Sequence, residues 1–347
     1  MNDIRIDHFS IGKSHKPFVI AEMSGNHNQS IVKAISIIDA AAAAGAHAVK
    51  LQTYTPDTIT MKGALTISDS KSLWKGEELY DLYQKAYTPW EWHAALFERA
   101  REKGIIIFSS PFDTTAVNFL ETLNAPAYKI ASFENTDWIL LKRVAQTGKP
   151  VIMSTGVATL ADIDESVRVL RANGCKELIL LKCTSTYPSS PANSNIVTIP
   201  HLEKTFNCIT GISDHSMGIG VSTAAVALGA RVIEKHFTIS RAEGGVDSAF
   251  SMEPHEFKML VESTEQAFLA LGEIQMNVQE AEKDSLNYKR SLYVSEDIKE
   301  GGLFSEKNIR SVRPALGLHT KYFDVIIGKK AKKNIKKGTP LNWDIIS

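Results

Sequence analysis

Residues 209–236 read ITGISDHSMGIGVSTAAVALGARVIEKH. Two short β-branched runs, ITGIS (209–213) and VIEKH (232–236), flank a stretch of helical character. Each run ends in a polar cluster, Ser213-Asp214-His215 in the first and Glu234-Lys235-His236 in the second. Strand, helix and strand at this spacing form the unit of a parallel sheet rather than of a sandwich. Six more runs of the same kind precede them: FVIAE (18–22), AVKLQ (48–52), IIIFS (105–109), AYKIA (127–131), VIMS (151–154) and LILLKC (178–183). Eight strands alternating with helices predict an α/β fold, a closed (β/α)8 TIM barrel.

The helices between the runs carry their own boundary signals. Thr88-Pro89-Trp90-Glu91 reads as a capping box with proline at the first helical position, closed by Gly104. Ile31, Ile35, Ile38 and Ala42 mark an apolar face between Ser30 and Gly45, and Ile163, Val167 and Leu170 mark another within 159–174. Residues 54–87 make one connection far longer than a βα loop normally is, and it carries Trp74, Tyr80, Tyr83 and Tyr87. Those aromatics suit either a sugar pocket or packing of the loop on itself.

The chain has 347 residues, enough for one barrel of about 250 residues with a small appendage. We expect a barrel domain at 1–271, of which 1–16 is an N-terminal extension, a polar linker at 272–288, and a second domain at 289–347. The last contains two similar units of short strand, IKxG turn and hydrophobic tail, which predict a compact, mainly β module. Lys plus Arg and Asp plus Glu both number 39, leaving no positive excess to gather nucleic acid or anionic lipid. The first residues lack the apolar core of a signal peptide, so a cytoplasmic location is expected. Three cysteines without CxxC spacing (Cys175, Cys183 and Cys208) read as buried thiols.

In such a barrel the C-terminal ends of the strands face the active site. Polar residues recur there on every strand: Glu22; Lys50 and Gln52; Ser109-Ser110; Lys129 with Ser132 and Glu134; Ser154-Thr155-Gly156; Thr184-Ser185-Thr186-Tyr187; His215; and Glu234 with His236. Two lysines with several hydroxyls and a glycine suit a phosphorylated substrate. Two histidines on adjacent strand ends suit one divalent metal, with zinc, manganese and cobalt all open. Each residue alone also reads as structural: a strand-end histidine as a hydrogen-bonded ring, a buried lysine as half of an ion pair, Ser or Thr as a helix cap, and Glu22 as a structural acid. A rival chemistry is a Schiff-base aldolase on Lys182.

The ordered motifs AEMSGNHN, KLQTY, FSSPFD, AYKIAS, STG, CTSTYP, GISDHS, EKHFT and GGVDSAFS resemble the sialic acid synthases, and IKEG, VRP and IKKGTPL resemble the antifreeze-like (SAF) domain that those enzymes carry. Within that family, Met-Ser in AEMSGNHN, the run LYQKAYTPWEWH and GGVDSAFS resemble the pseudaminic acid branch. The sialic acid branch has Ile-Gly after the first glutamate, histidine at the place of Lys182 and asparagine at that of Ser185. The legionaminic branch uses the same chemistry.

The resemblance implies condensation of phosphoenolpyruvate with 2,4-diacetamido-2,4,6-trideoxy-L-altrose, forming a carbon–carbon bond and releasing phosphate by carbon–oxygen cleavage. It places phosphoenolpyruvate on Lys50, Ser110, Lys129, Ser132, Ser154, Ser185 and Ser213, and the sugar on Gln52, Glu134, Tyr187, Asp247 and Arg313. Glu22, His215 and His236 take catalytic roles. His215 and His236 hold a divalent metal, manganese first, with magnesium or cobalt as substitutes. The implied partner is a second copy, in a domain-swapped homodimer whose antifreeze-like domain brings Arg313 to the other barrel. The alternative that this tail is the working part, on a degenerate barrel, would leave the strand-end polar residues without a purpose.

Overall fold

The computed structural model describes residues 2–68 and 74–347, which fall into two compact units, one ending at Gly272 and the other spanning Glu273–Ser347. In the first, β1 (Ile4–Ile6) and β2 (Phe9–Ile11) form an antiparallel hairpin. Eight parallel strands then close a barrel in chain order: β3 (Phe18–Glu22), β4 (Ala48–Thr53), β5 (Ile106–Pro111), β6 (Tyr128–Ile130), β7 (Val151–Ser154), β8 (Leu178–Cys183), β9 (Ile209–Ser213) and β10 (Val232–His236). Closure joins β10 to β3 with His236 opposite Glu22. The helices are α1 (Ile31–Ala43), α2 (Pro56–Ile59), α3 (Leu79–Ala86), α4 (His93–Lys103), α5 (Thr114–Thr122), α6 (Trp138–Ala145), α7 (Leu160–Ala172), α8 (Thr198–Phe206), α9 (Gly220–Ala227) and α10 (Pro254–Leu271).

Successive strand residues face opposite sides of the sheet, so two interleaved rows can be read off each strand. The outward row (Val19, Val49, Ile107, Met153, Leu180 and Ile233 among others) packs against the helices. The inward row changes character along the strand: Phe18-Ile20-Glu22, Ala48-Lys50-Gln52, Ile106-Phe108-Ser110, Ile152-Ser154, Ile179-Leu181-Cys183 and Val232-Glu234-His236 each begin apolar and end polar. The lower barrel is therefore an oily plug and the upper barrel a polar chamber. Ile4, Ile6 and Ile11 of the hairpin join the plug from below. The N-terminal extension thus contains two strands that its charge alternation conceals, because Arg5 and Asp7 occupy the outward half of a period-two pattern.

Two helix expectations need correction. The helix after Pro89 opens with a 3-10 turn at Trp90–Trp92, and Thr88 caps nothing; its buried hydroxyl lies 3.2 Å from His27 Nε2. On α1, Ser30 accepts from the Lys33 N–H as expected, but the buried face is Ala34, Ile37, Ile38 and Ala41. The buried stripe is rotated from the expected one, so Ile31, Ile35 and Ala42 are only half-buried. At α7, Thr159 and Asp162 form a reciprocal cap, and Ile163, Val167 and Leu170 are buried.

The second unit pairs β11 (Ser291–Val294) with β12 (Ile309–Val312), followed by α11 (Phe323–Ile326), around Leu292, Val294, Phe304, Ile326, Leu341 and Ile345. Its two IKxG units bind each other: Ile298 and Ile335 exchange both backbone N–H to carbonyl bonds, at 2.8 and 2.7 Å. Regular strand is scarcer than expected, because most pairing is by single bridges such as Leu303 with Lys330 and Ala331 with Ile346. The preceding polar segment contains two 3-10 turns, Glu280–Glu282 and Asp284–Tyr288.

Three histidines are built into the first unit as neutral rings, each held down to about 4 by burial. His47 Nδ1 accepts from the Val19 N–H at 2.9 Å, His27 Nδ1 from the Gln29 N–H at 3.2 Å, and His93 Nε2 lies 2.8 Å from the Thr53 hydroxyl. Below pH 6.5 the unfolded chain takes up protons that these folded rings refuse, so stability falls as pH drops from 6.5 through 4. The loss reaches about 3 kcal/mol per ring. Denaturant midpoints at pH 7.5, 6 and 5 should decline in step; a constant midpoint would sink the assignment.

Candidate active site

The inward rows meet at the C-terminal end of the barrel in a cavity of about 410 Å³. On its floor, Lys50 Nζ lies 2.7 Å from Glu22 Oε2, 3.2 Å from Ser110 Oγ and 3.8 Å from Glu234 Oε2. Lys129 Nζ donates to Ser154 Oγ at 2.7 Å and lies 3.8 Å from Glu234 Oε1, which also accepts from Ser213 at 3.0 Å. All four charged groups are buried. Burial pushes Glu22 up to about 7; Lys50 opposes the rise and Glu234 adds to it. Burial also works against charge on Glu234, but Lys129 and Lys50 outweigh it and hold that carboxyl below its usual range. Two cations thus face one firm anion and one carboxyl that is readily neutralised. A buried excess of positive charge calls for an anionic guest.

Ser132 and Ser185 line the same cavity as Ser154, which bonds to Lys129, and the backbone of Gly156 lies under the first two. A Cβ at Gly156 would stand 2.2 Å from Ser185 Oγ and 2.5 Å from Ser132 Oγ. Asn135 Nδ2 pins this strand end by donating to the carbonyls of Ser154 at 3.3 Å and Gly156 at 3.0 Å. Hydroxyls converging on a bare backbone beside an ammonium make a cradle for a tetrahedral oxyanion.

Across the cavity, the rings of His215 and His236 lie 5.3 Å apart between centroids. His215 Nδ1 is 3.0 Å from the Thr184 carbonyl, so Nδ1 carries the proton of the neutral ring and Nε2 is the nitrogen that would offer a lone pair. His236 Nδ1 is buried without a hydrogen-bond partner among the described residues, 3.9 Å from Asp247 Oδ2. An orphaned imidazole nitrogen beside a second oriented imidazole and a carboxylate fits a divalent cation. No group of three or more His, Cys, Asp or Glu with metal-ligand geometry is present among the described residues, so such an ion would complete its shell with water and substrate. Behind this pair, Asp214 and Lys235 form a buried ion pair at 3.0 Å, each one residue before a histidine on neighbouring strand ends.

The remaining wall comes from the long connection after β4. Ile59, Ile67, Leu79, Leu82, Tyr83 and Ala86 line the cavity, as does Trp74, whose Nε1 donates to the Val246 carbonyl at 3.2 Å. Residues 69–73 of this connection lie outside the described residues. Tyr80 is half-buried, donates to Asp57 and does not line the pocket. Tyr187 closes the histidine side, its ring centroid 4.4 Å from that of His215 and 5.3 Å from that of Phe250.

Of the residues singled out from the sequence, Glu22, Lys50, Gln52, Lys129, Ser132, Glu134, Ser154, Ser185, Tyr187, Ser213, His215, His236 and Asp247 line this one cavity, and Ser110 adjoins it through Lys50. Glu134 brings a second carboxyl that burial pushes up to about 7, with Oε2 lacking a hydrogen-bond partner among the described residues. Arg313 lies in the second unit, one residue beyond β12. Ser109 and Lys182 face away from the chamber. Ser109 bonds to Thr53, and Lys182 Nζ donates to the Cys183 carbonyl at 2.9 Å, so the Schiff-base reading lacks a lysine on strand β8 facing the cavity. Cys183 also lines the cavity, its inward place following from alternation with Lys182, and so does Ser24, known from the sequence only as part of the Met-Ser branch motif, whose hydroxyl bonds to Asp247.

Residues 37–276 match the NeuB family model, and residues 289–346 match the SAF domain. The pseudaminic acid synthase of Campylobacter jejuni is 44% identical over 339 residues, covering 97% of this chain and 98% of the relative. That of Helicobacter pylori is also 44% identical, covering 95% and 98%. The solved N-acetylneuraminic acid (sialic acid) synthetase of Leptospira borgpetersenii, in complex with citrate, superposes with a TM-score of 0.74 at 32% identity, covering 83% of this chain and 96% of that one.

Proposed function

This chain belongs to the NeuB family of synthases, and from that membership we propose that it condenses phosphoenolpyruvate with 2,4-diacetamido-2,4,6-trideoxy-L-altrose and water to give pseudaminic acid and phosphate. The observation that carries the reading is the pairing, in one cavity, of a hydroxyl cradle over Gly156 beside Lys129 with two oriented histidines on the facing side. The similarity to pseudaminic acid synthases and the apolar wall of Ile59, Ile67, Leu79 and Leu82 support a deoxygenated, acetamido-bearing sugar over a more hydroxylated one.

In this reading Lys50, Lys129, Ser132, Ser154 and Ser185 hold the phosphate, with Ser110 and Ser213 fixing Lys50 and Glu234. Gln52, Glu134, Tyr187 and Asp247 orient the sugar so that its aldehyde carbon faces the methylene carbon of phosphoenolpyruvate. When bound to His215 and His236, a divalent ion, manganese first, supplies Lewis-acid polarisation of a carbonyl oxygen. Carbon–carbon bond formation leaves a cationic centre at the former enol carbon, and the Glu22 and Glu234 carboxylates stabilise it. Water adds there and gives a proton to Glu22, and the aldehyde oxygen, now an alkoxide, takes up one proton to become a hydroxyl. The tetrahedral adduct then breaks its carbon–oxygen bond to phosphate as its new hydroxyl re-forms a carbonyl, the hydroxyl proton leaving with the phosphate against the two lysines. Arg313 of a second copy is assigned to the sugar, in a homodimer.

The test is phosphate release from phosphoenolpyruvate with the altrose derivative or with N-acetylmannosamine, after chelation and again after manganese is restored. Release with the first sugar alone, lost on chelation and regained with manganese, is the expected result. Release with N-acetylmannosamine overturns the sugar assignment, and turnover indifferent to chelation overturns the metal.

A further inference from the structure

Ser24 stands two residues beyond the end of the chamber's first strand and adopts φ +49°, the left-handed region, without being glycine. L-residues other than Asn, Asp and Gly avoid this conformation, and a buried exception persists where neighbouring contacts compensate for it. Ser24 is buried, and its hydroxyl has two partners. It donates to Asp247 Oδ2, and it accepts from Gln52 Nε2 at 3.1 Å. Gln52 Nε2 also donates to Glu22 Oε1 at 2.8 Å. A hydrogen-bonded chain thus crosses the floor from the lysine side to the histidine side.

The turn bearing Asp247 is already tied to the same loop elsewhere. Asn26 Nδ2 donates to the Phe237 carbonyl and to Ser251 Oγ, both at 2.9 Å, and Asn28 Nδ2 donates to the Gly244 carbonyl at 3.2 Å. Those bonds fix the turn on both sides of Asp247. The bond from Ser24, together with one from the Gly25 backbone N–H, holds only the carboxylate, which lines the cavity. The fold does not need that bond; the direction of the carboxylate does.

We infer that Ser24 is a positioning residue for the sugar, its hydroxyl aiming the Asp247 carboxylate into the cavity, where it receives hydroxyl or amide N–H groups of the substrate. This rests on the proposed condensation and on Asp247 as a sugar contact. A serine serving only the backbone would be replaced by glycine without functional loss, since glycine adopts this φ freely.

The experiment compares Ser24→Gly, which removes both hydroxyl and strain, with Ser24→Ala, which removes the hydroxyl and keeps the strain. Both should raise KM for the sugar about tenfold, the effect of one lost charge-assisted hydrogen bond. KM for phosphoenolpyruvate should stay within about twofold, and the melting temperature of Ser24→Gly should match or exceed that of the wild type. An unchanged sugar KM in both variants, a matching rise for both substrates, or a lower melting temperature in Ser24→Gly would each overturn the assignment. Absence of wild-type turnover with any acetamido sugar would instead strike the proposed function, and this inference with it.

Discussion

Replacing Gly156 by alanine is expected to lower kcat/KM for phosphoenolpyruvate by about two to three orders of magnitude in a protein that still folds. The added carbon would meet Ser185 Oγ at 2.2 Å and Ser132 Oγ at 2.5 Å, well inside contact distance. The backbone cannot readily retreat, because Asn135 holds the carbonyls on either side of Thr155. The two hydroxyls must therefore turn away, and each charge-assisted bond they forfeit costs about 1.5–3 kcal/mol, or roughly one to two powers of ten. Only side-chain ends at a cavity surface are displaced, so the melting temperature should change little. Phosphate-release kinetics and calorimetric titration with phosphoenolpyruvate check this; a KM within threefold of wild type would mean that no phosphate rests there.

Glu22→Gln should separate kcat from KM. Glutamine keeps an oxygen to accept from Gln52 but offers no group that exchanges a proton near neutrality, whereas burial places the Glu22 carboxyl at about 7. Loss of a group in general acid–base work lowers kcat by about 10²–10⁴. The same change removes negative charge 2.7 Å from Lys50 Nζ, so phosphoenolpyruvate should bind as tightly as before or more so. Steady-state kinetics with a parallel thermal melt decide the matter. A normal kcat with a raised KM for phosphoenolpyruvate would recast Glu22 as an anchor for Lys50.

The barrel strands could be read from the sequence because each is a short β-branched run with polar residues at or just past its end, and within a barrel that gradient has one meaning: oil at the base, chemistry at the rim. The rule reached Lys50, Lys129, Glu234 and the two histidines directly. It failed where the deciding contact is distant in sequence. Thr88 has the local form of a cap, yet its hydroxyl serves His27, 61 residues earlier. Cys183 looks like any buried thiol until the closed barrel determines which of Lys182 and Cys183 turns inward. Ile4, Ile6 and Ile11 look like isolated apolar residues until the hairpin aligns them under Phe18. Ser24 stood out in the sequence as half of the Met-Ser motif, but its role shows only with its backbone angle and its bond to Asp247.

The origin of the cavity wall has a consequence for how such a protein can change. The reactive charges stand on eight hydrogen-bonded strands, where altering one disturbs its neighbours through shared partners such as Glu234. Much of the apolar lining, in contrast, comes from a single excursion between β4 and α4 that takes no part in the barrel's hydrogen-bonding ladder. Under the proposed function, the apolar side of the sugar's pocket is therefore carried by a stretch of the gene separable from the polar sugar contacts at Gln52, Glu134, Tyr187 and Asp247, and rewriting about thirty codons would reshape that wall without touching the residues assigned to the phosphate ester.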